Sequence, residues 1–318
     1  MADNKIPDEN WERDTINKLA FAAYKEQKRS RRWNLLFRSL IVIWLFSFLG
    51  ILLTNERSAT KELKPHTALI DISGVIAATG EASADNIVTA LRDAFESKQS
   101  AGVILRINSP GGSPVQSGYI NDEILRLRKE YPDKPLYAVI VDICASGGYY
   151  IAAAADKIYA DKASLVGSIG VIMNGFGFTE AMEKLGVERR LLTAGEHKGF
   201  LDPFSPVKQE EVTHIKSVLD NIHNQFIEVV KNGRGDRLVD DEQLFSGYIW
   251  SGEKSLELGL IDALGSSSHV AREIIGEETI VDYTIKPTYL DRFAKRLGTS
   301  IGSTLATSIG LDNRSVLE

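Results

Sequence analysis

The residues with most to offer chemically lie in the run Asp142-Ile143-Cys144-Ala145-Ser146-Gly147-Gly148-Tyr149-Tyr150. It follows an apolar stretch, 136–141, that reads as a strand. It precedes Ile151-Ala152-Ala153-Ala154-Ala155, a strong helix former. Ser146 therefore falls on a strand-to-helix turn, at the positive end of a helix. Such a turn exposes a hydroxyl and offers the Gly147 N–H to a developing oxyanion. The flanking glycines admit close approach of a substrate backbone. A serine at this position also suits a plain helix cap, and the segment alone does not choose between cap and nucleophile.

A second turn of the same kind is Asn108-Ser109-Pro110-Gly111-Gly112-Ser113-Pro114, after a strand at 102–107 and before a helix at 115–130. Its two glycines can aim an N–H at a bound carbonyl. Neither G-x-x-x-x-G-K-[ST] nor G-x-G-x-x-G is present here, so the turn is no phosphate cradle. An ordinary tight βα turn fits the same S-P-G-G vocabulary.

A serine nucleophile needs a base. The histidines are His66, His197, His214, His223 and His269, and none forms an HExxH or HxH pair that would suggest a zinc hydrolase. No GxSxG elbow surrounds Ser146. His214 and His223 fall on a long helix, as surface or interface groups, His66 in a linker and His269 in a serine-rich loop. His197 is the exception, in Thr193-Ala194-Gly195-Glu196-His197-Lys198-Gly199-Phe200, with Lys198 as its rival. A lysine serves as base only if its pKa falls from about 10.4 toward 7–8, roughly 4 kcal/mol of differential stabilisation. Neither charge nor spacing selects it. The single cysteine, Cys144, excludes an intrachain disulfide and reads as a buried, inert thiol.

The elements that must position these groups alternate. Strands are expected at 68–72, 102–107 and 136–141, with helices at 85–97 and 115–130 between them, which implies β-α-β units and a mostly parallel sheet. The strands are continuously apolar, so the sheet is covered on both faces. Ser205-Pro206 is expected to open a helix running to about 231, with apolar positions Val212, Ile215, Leu219, Ile222, Phe226 and Val229 on one stripe. That stripe suits packing on the domain, or on a neighbouring subunit. The 318 residues, 43% hydrophobic, suffice for one large α/β domain plus tails, and a net charge of -6 argues against a nucleic-acid partner.

Ahead of that domain, 1–33 is polar and charged, with a weak amphipathic helix expected at 11–24. The apolar run at 34–54 is long enough for a membrane-spanning helix, with Arg38 at the interface. Lys25, Lys28, Arg29, Arg31, Arg32 and Arg38 precede or open it, whereas Glu56, Arg57, Lys61, Glu62 and Lys64 nearly cancel after it. The positive-inside rule then leaves the N-terminus in the cytoplasm and the remainder outside. Leu53-Thr54-Asn55-Glu56 offers no A-x-A cleavage pattern, so the anchor is expected to be uncleaved. The expected organisation is a cytoplasmic tail at 1–33, an anchor at 34–54, a linker at 55–66, a catalytic domain at 67–285 and a tail at 286–318 without assigned structure.

The motifs around Asn108–Ser113 and Ala145–Tyr150, together with Val166-Gly167-Ser168-Ile169-Gly170-Val171, Lys198-Gly199 ahead of Pro203-Phe204-Ser205-Pro206, and Trp250-Ser251-Gly252 through Leu258-Gly259-Leu260-Ile261-Asp262, resemble the signal peptide peptidase A family. The resemblance runs in order over about 69–264 and is to the short, single-domain forms, with the SohB proteins nearby. It implies a Clp-protease-like α/β fold, related also to the crotonases, and a serine peptidase that uses no cofactor. It carries a Ser–Lys dyad onto Ser146 and Lys198, a lysine-orienting serine onto Ser168, and oxyanion donors onto Gly111, Gly112 and Gly147. It further implies hydrophobic peptide substrates such as released signal peptides, a place in the bacterial inner membrane with the catalytic domain on the outer side, and a homo-oligomeric ring. In such a ring each site draws its serine and lysine from neighbouring subunits. Two other readings remain open on the residues: a crotonase-like acyl-CoA enzyme, and a non-catalytic membrane scaffold.

Overall fold

The computed structural model of the chain describes residues 11–54 and 64–286. It divides into two compact units, one ending at Leu63 and one beginning at Lys64. The described part of the first is a single helix, α1 (Trp11–Thr54). The short amphipathic helix expected at 11–24 is thus the start of a longer one, because no glycine or proline interrupts the sequence from Trp11 to Leu49. Among the described residues no helix is long and apolar enough to cross a membrane. The anchor expected at 34–54 therefore rests on the sequence pattern.

The second unit is built on β1 (His66–Ser73), α2 (Ala84–Glu96), β2 (Ser100–Ser109), α3 (Pro114–Glu130), β3 (Leu136–Ala145), α4 (Gly147–Ala152), β4 (Lys157–Ala160), β5 (Leu165–Gly167), α5 (Thr179–Lys184), α6 (Gln209–Arg234), β6 (Ile249–Ser251), α7 (Gly252–Glu257), β7 (Ala263–Leu264), α8 (Ser267–His269) and β8 (Ile280–Asp282). One eight-stranded sheet runs in the order β6-β5-β3-β2-β1-β8, with β4 and β7 branching from the first half of β3. Every pairing is parallel except β5 with β6. This is the mixed α/β architecture expected.

Adjacent residues of the central strands enter different cores. Ile70, Leu105 and Ile140 join the inward faces of α2 and α3, while Leu69, Ile104 and Val139 join Tyr159, Val270 and Ala271 on the other side. Both faces are thus covered, which is why these strands are apolar without alternation. The middle strand β3 is paired twice. Its residues 137–140 lie against β4, and its residues 143–145 against β5. The split leaves the C-terminal end of β3, and the turn after it, seated beside β5.

Helix α6 starts at Gln209 with Lys208 at its N-cap, three residues later than the start expected at Ser205-Pro206. The Ser205 hydroxyl is taken up locally, donating to Asp202 Oδ2 at 2.8 Å, and so caps nothing; the first helical amides return instead to the Lys208 carbonyl. The far end of α6 is locked by Arg234, 1% exposed, which donates to the Gly259 carbonyl at 2.9 Å and to Asp262 at 2.7 Å. Asp262 also accepts the Ile158 N–H at 2.7 Å, so β4, α6 and the turn before β7 meet on one carboxylate.

Candidate active site

Ser146 follows the last residue of β3 and precedes the first of α4. It occupies the N-cap position, yet its side chain accepts no capping hydrogen bond, and its backbone sits at φ 51°, ψ −121°. A non-glycine residue with positive φ is costly, and such strain survives only where neighbours fix it. They do so here. The Ser146 N–H donates to the Gly167 carbonyl at 2.8 Å, and the Ser146 carbonyl accepts the Tyr150 N–H at 3.0 Å. The geometry is that of a strained elbow with its hydroxyl left free by the helix.

The glycine turn after β2 lies directly against this elbow. A methyl group added at Gly111 would stand 2.7 Å from Ser146 Cβ and 2.9 Å from the Gly147 nitrogen, so only glycine fits there. The Gly111 N–H is already engaged, donating to Ser109 Oγ at 3.1 Å, and that hydroxyl in turn donates to the Gly74 carbonyl at 2.6 Å. Gly112 forms a parallel bridge with Ile76 in which the flanking groups do the bonding: Ile76 N–H to the Gly111 carbonyl at 2.9 Å, and Ser113 N–H to the Ile76 carbonyl at 2.8 Å. In such a bridge the N–H of Gly112 itself faces away from Ile76. On that side lies Gly147, where an added methyl group would be 3.3 Å from the Gly112 nitrogen. Gly147 is the first residue of α4, and its N–H belongs to the set without an intrahelical partner. Of the three expected oxyanion donors, Gly111 has its N–H engaged within the turn, while Gly112 and Gly147 lie close together and line one cavity with Ser146.

Ser168 lies on the opposite flank. Ala145 is paired with Gly167, so Ser146 and Ser168 are the next residues along adjacent strands. Ser168 is half-buried at φ 52° and donates its N–H to the Tyr248 carbonyl at 2.7 Å. A small cavity of about 120 Å³ opens at Ser146. Its lining includes Gly112, Gly147, Tyr150 and Ile172, together with Ile222 and Phe226 of α6. Tyr150 and Phe226 pack with ring centroids 5.1 Å apart.

Lys198 is not among the residues lining this cavity. It is exposed, in a turn closed by its own N–H to the Gly195 carbonyl at 3.1 Å. His197 is exposed beside it. The chain thus brings Ser146, Ser168, Gly112 and Gly147 together, while Lys198 is exposed and does not line their cavity. His214 is exposed, as expected. His223 is half-buried, its Nε2 3.1 Å from the Ile169 carbonyl, rather than a free surface group. His66 opens β1, buried against Tyr283, instead of lying in a linker, and His269 closes α8. Ile222 and Phe226 were legible only as members of a packing stripe. Cys144 is fully buried, and burial pushes its thiol up, away from thiolate chemistry.

The profile of peptidase family S49 matches residues 128–279. A protein of Synechocystis sp., provisionally named a protease, is 33% identical over 199 residues, which are 63% of this chain and 69% of that one. The chain belongs to peptidase family S49. An Enterococcus faecium protein provisionally named signal peptide peptidase SppA is 34% identical over 224 residues, 68% of this chain and 64% of its own. A Brucella abortus protein named Na(+)/H(+) antiporter NhaA is 46% identical over 188 residues, 59% of this chain but 25% of that protein. The chain thus spans a quarter of the Brucella protein, and the antiporter name stays with that protein. The S49 match contains Ser146, Ser168 and Lys198, whereas Gly111 and Gly112 lie ahead of it.

Proposed function

We propose that this member of family S49 is a membrane-anchored serine endopeptidase with Ser146 as nucleophile. The observation that carries the reading is the strained, uncapped Ser146 elbow, which shares its cavity with Gly112 and Gly147. Neutral Lys198 takes the Ser146 proton as Oγ attacks the peptide carbonyl, and the two amides hold the oxyanion. Lys198, oriented by Ser168, then gives its proton to the leaving amine, and water hydrolyses the acyl-enzyme.

Lys198 reaches Ser146 from a neighbouring subunit of a homo-oligomeric ring. This is supported by the segment that carries it: no residue from 171 to 210 is buried, and it exposes Ile172, Phe176, Leu185 and Leu192 at 78–96%. So many large apolar side chains left in water within one segment suit an interaction surface. The substrates are hydrophobic peptides, such as cleaved signal peptides, consistent with the uncharged walls of the Ser146 cavity. The run at 34–54 and the basic residues before it support an anchor in a bacterial inner membrane, N-terminus inside and catalytic domain outside. The uncharged residues that line the cavity favour a peptide over an acyl-CoA ester.

A mixing experiment tests the shared site. Ser146→Ala and Lys198→Ala proteins, each inactive alone, are dissociated, combined and reassembled. Regained peptide hydrolysis is expected, because some interfaces then hold an intact serine opposite an intact lysine. A mixture as inactive as its parents contradicts the shared site.

A further inference from the structure

Three consecutive residues of the segment beside Ser146 are each held by a hydrogen bond. The Gly167 carbonyl accepts the Ser146 N–H at 2.8 Å, the Ser168 N–H donates to the Tyr248 carbonyl at 2.7 Å, and the Ile169 carbonyl meets His223 Nε2 at 3.1 Å. The first two bonds join backbone to backbone and need no particular side chain. The third depends on a histidine. A carbonyl only accepts, so Nε2 carries the hydrogen, and it does so whether or not Nδ1 is protonated as well. Ser168 sits in the middle of this triplet at φ 52°, a conformation that a residue with a side chain keeps only when its surroundings over-determine it.

His223 is well placed to supply that determination. It lies on α6 between Ile222 and one turn before Phe226, two residues that wall the Ser146 cavity. Phe226 in turn rests on Tyr150 of α4. Helix α6 therefore touches both flanks of the elbow, α4 through an aromatic contact and the 167–169 segment through a directional bond. Ile169 itself is fully buried, so its carbonyl has no access to bulk water as a substitute partner.

We propose that His223 is a positioning residue for the Ser146 site: its Nε2–H pins the Ile169 carbonyl, and so holds the left-handed turn that sets Ser168 beside the nucleophile. This rests on the reading of Ser146 as nucleophile and adds a residue that acts through Ser168 without touching substrate. Because His223 is not itself among the residues lining the cavity, its loss is expected to slow the chemical step and leave substrate binding in place.

The test is steady-state peptide hydrolysis by the assembled full-length protein, comparing wild type, Ser146→Ala, His223→Phe and His223→Gln. Phenylalanine keeps a ring and removes the donor, while glutamine keeps a donor of similar reach. The expected result is a kcat for His223→Phe lowered roughly tenfold to a hundredfold, the scale of a small misplacement of catalytic groups. KM stays unchanged, and His223→Gln recovers most of the rate. Wild-type kcat in His223→Phe, an equal loss in both His223 variants, or a change confined to KM overturns the proposal while Ser146→Ala remains inactive. Undiminished hydrolysis by Ser146→Ala overturns the nucleophile reading and this proposal with it.

Discussion

The backbone N–H of Ser146 donates to the carbonyl of Gly167 at 2.8 Å, joining the two sharp turns that end β3 and β5. Through this bond two serines with positive φ, Ser146 and Ser168, become neighbours although 22 positions separate them in the sequence. Strain in one turn is thereby braced by strain in the other, and both depend on close approach by glycines.

Gly147 is the position where that approach can be tested with a designed rescue. A methyl group there would lie 2.5 Å from Ser117 Oγ and 3.3 Å from the Gly112 nitrogen. Gly147→Ala is expected to destabilise the domain by about 1–3 kcal/mol through overpacking and to disturb the Gly112 amide, lowering kcat by about 10²–10³. Adding Ser117→Ala removes the nearer clash. Thermal melts of the double variant should recover much of the stability, and a double variant no better than the single would count against this contact.

Asp262 binds Arg234 and Arg237 and accepts the Ile158 N–H. Burial pushes this carboxyl up, but those three partners together hold it below the usual range. Asp262→Ala leaves the Arg234 guanidinium buried and unpaired, at an expected cost of about 3–5 kcal/mol in denaturant unfolding. In the Arg234→Leu/Asp262→Ala double variant the loss should be smaller than the sum of the singles by about 0.5–3 kcal/mol. Strict additivity would show that the pair is not coupled.

Glu123 of α3 accepts from Arg126 of its own helix and from Arg92 of α2. The Arg126 bonds chiefly hold its carboxyl down to about 2 against the opposing effect of burial, with Arg92 assisting. The folded pKa therefore lies below the ordinary 4.5, and on acidification the unfolded chain takes up this proton first. Its contribution to stability is present above about pH 4.5 and is lost as pH falls toward about 2. Thermal melts should show wild type and Glu123→Gln converging over that window, and a constant difference down to pH 2 would remove Glu123 from the acid response.

The Cys144 thiol is buried without exposed surface, and burial raises its pKa. Iodoacetamide at neutral pH should leave the native protein unmodified and fully active, with alkylation by mass spectrometry appearing only after denaturation. Alkylation of the native protein with loss of hydrolysis would give Cys144 a part in the chemistry.

The strand-turn-helix setting of Ser146 was legible because apolar runs, small residues and a poly-alanine stretch are local signals. The central strands and α2 and α3 were legible for the same reason, each ending within three residues or so of its expected bounds, except that β3 runs on to Ala145. Contacts that depend on distant chain segments were not. Gly111 lies 35 positions before Ser146, and nothing local says that its missing side chain makes room for that serine. That Ser109 consumes the Gly111 N–H follows only from the folded turn. His223 looked like any polar residue beside an apolar stripe, since its partner is a carbonyl 54 positions away. The start of α6 was misplaced because a local Asp202–Ser205 bond outcompetes the cap that Ser205-Pro206 advertises. Lys198 was reached through resemblance, and its exposed position in a turn, away from the residues lining the Ser146 cavity, explains why spacing could not find it.

In the proposed mechanism Ser146 forms the acyl-enzyme with Lys198 as its base. The most direct measurement is the rate at which a fluorophosphonate probe labels the assembled full-length protein, with the modified residue located by mass spectrometry, in wild type and in Lys198→Ala. A single adduct on Ser146 is expected in wild type, with labelling of Lys198→Ala slowed at least a hundredfold, the lower end of the range for removing a general base. An adduct on another residue, or wild-type labelling of Ser146 without Lys198, would contradict it.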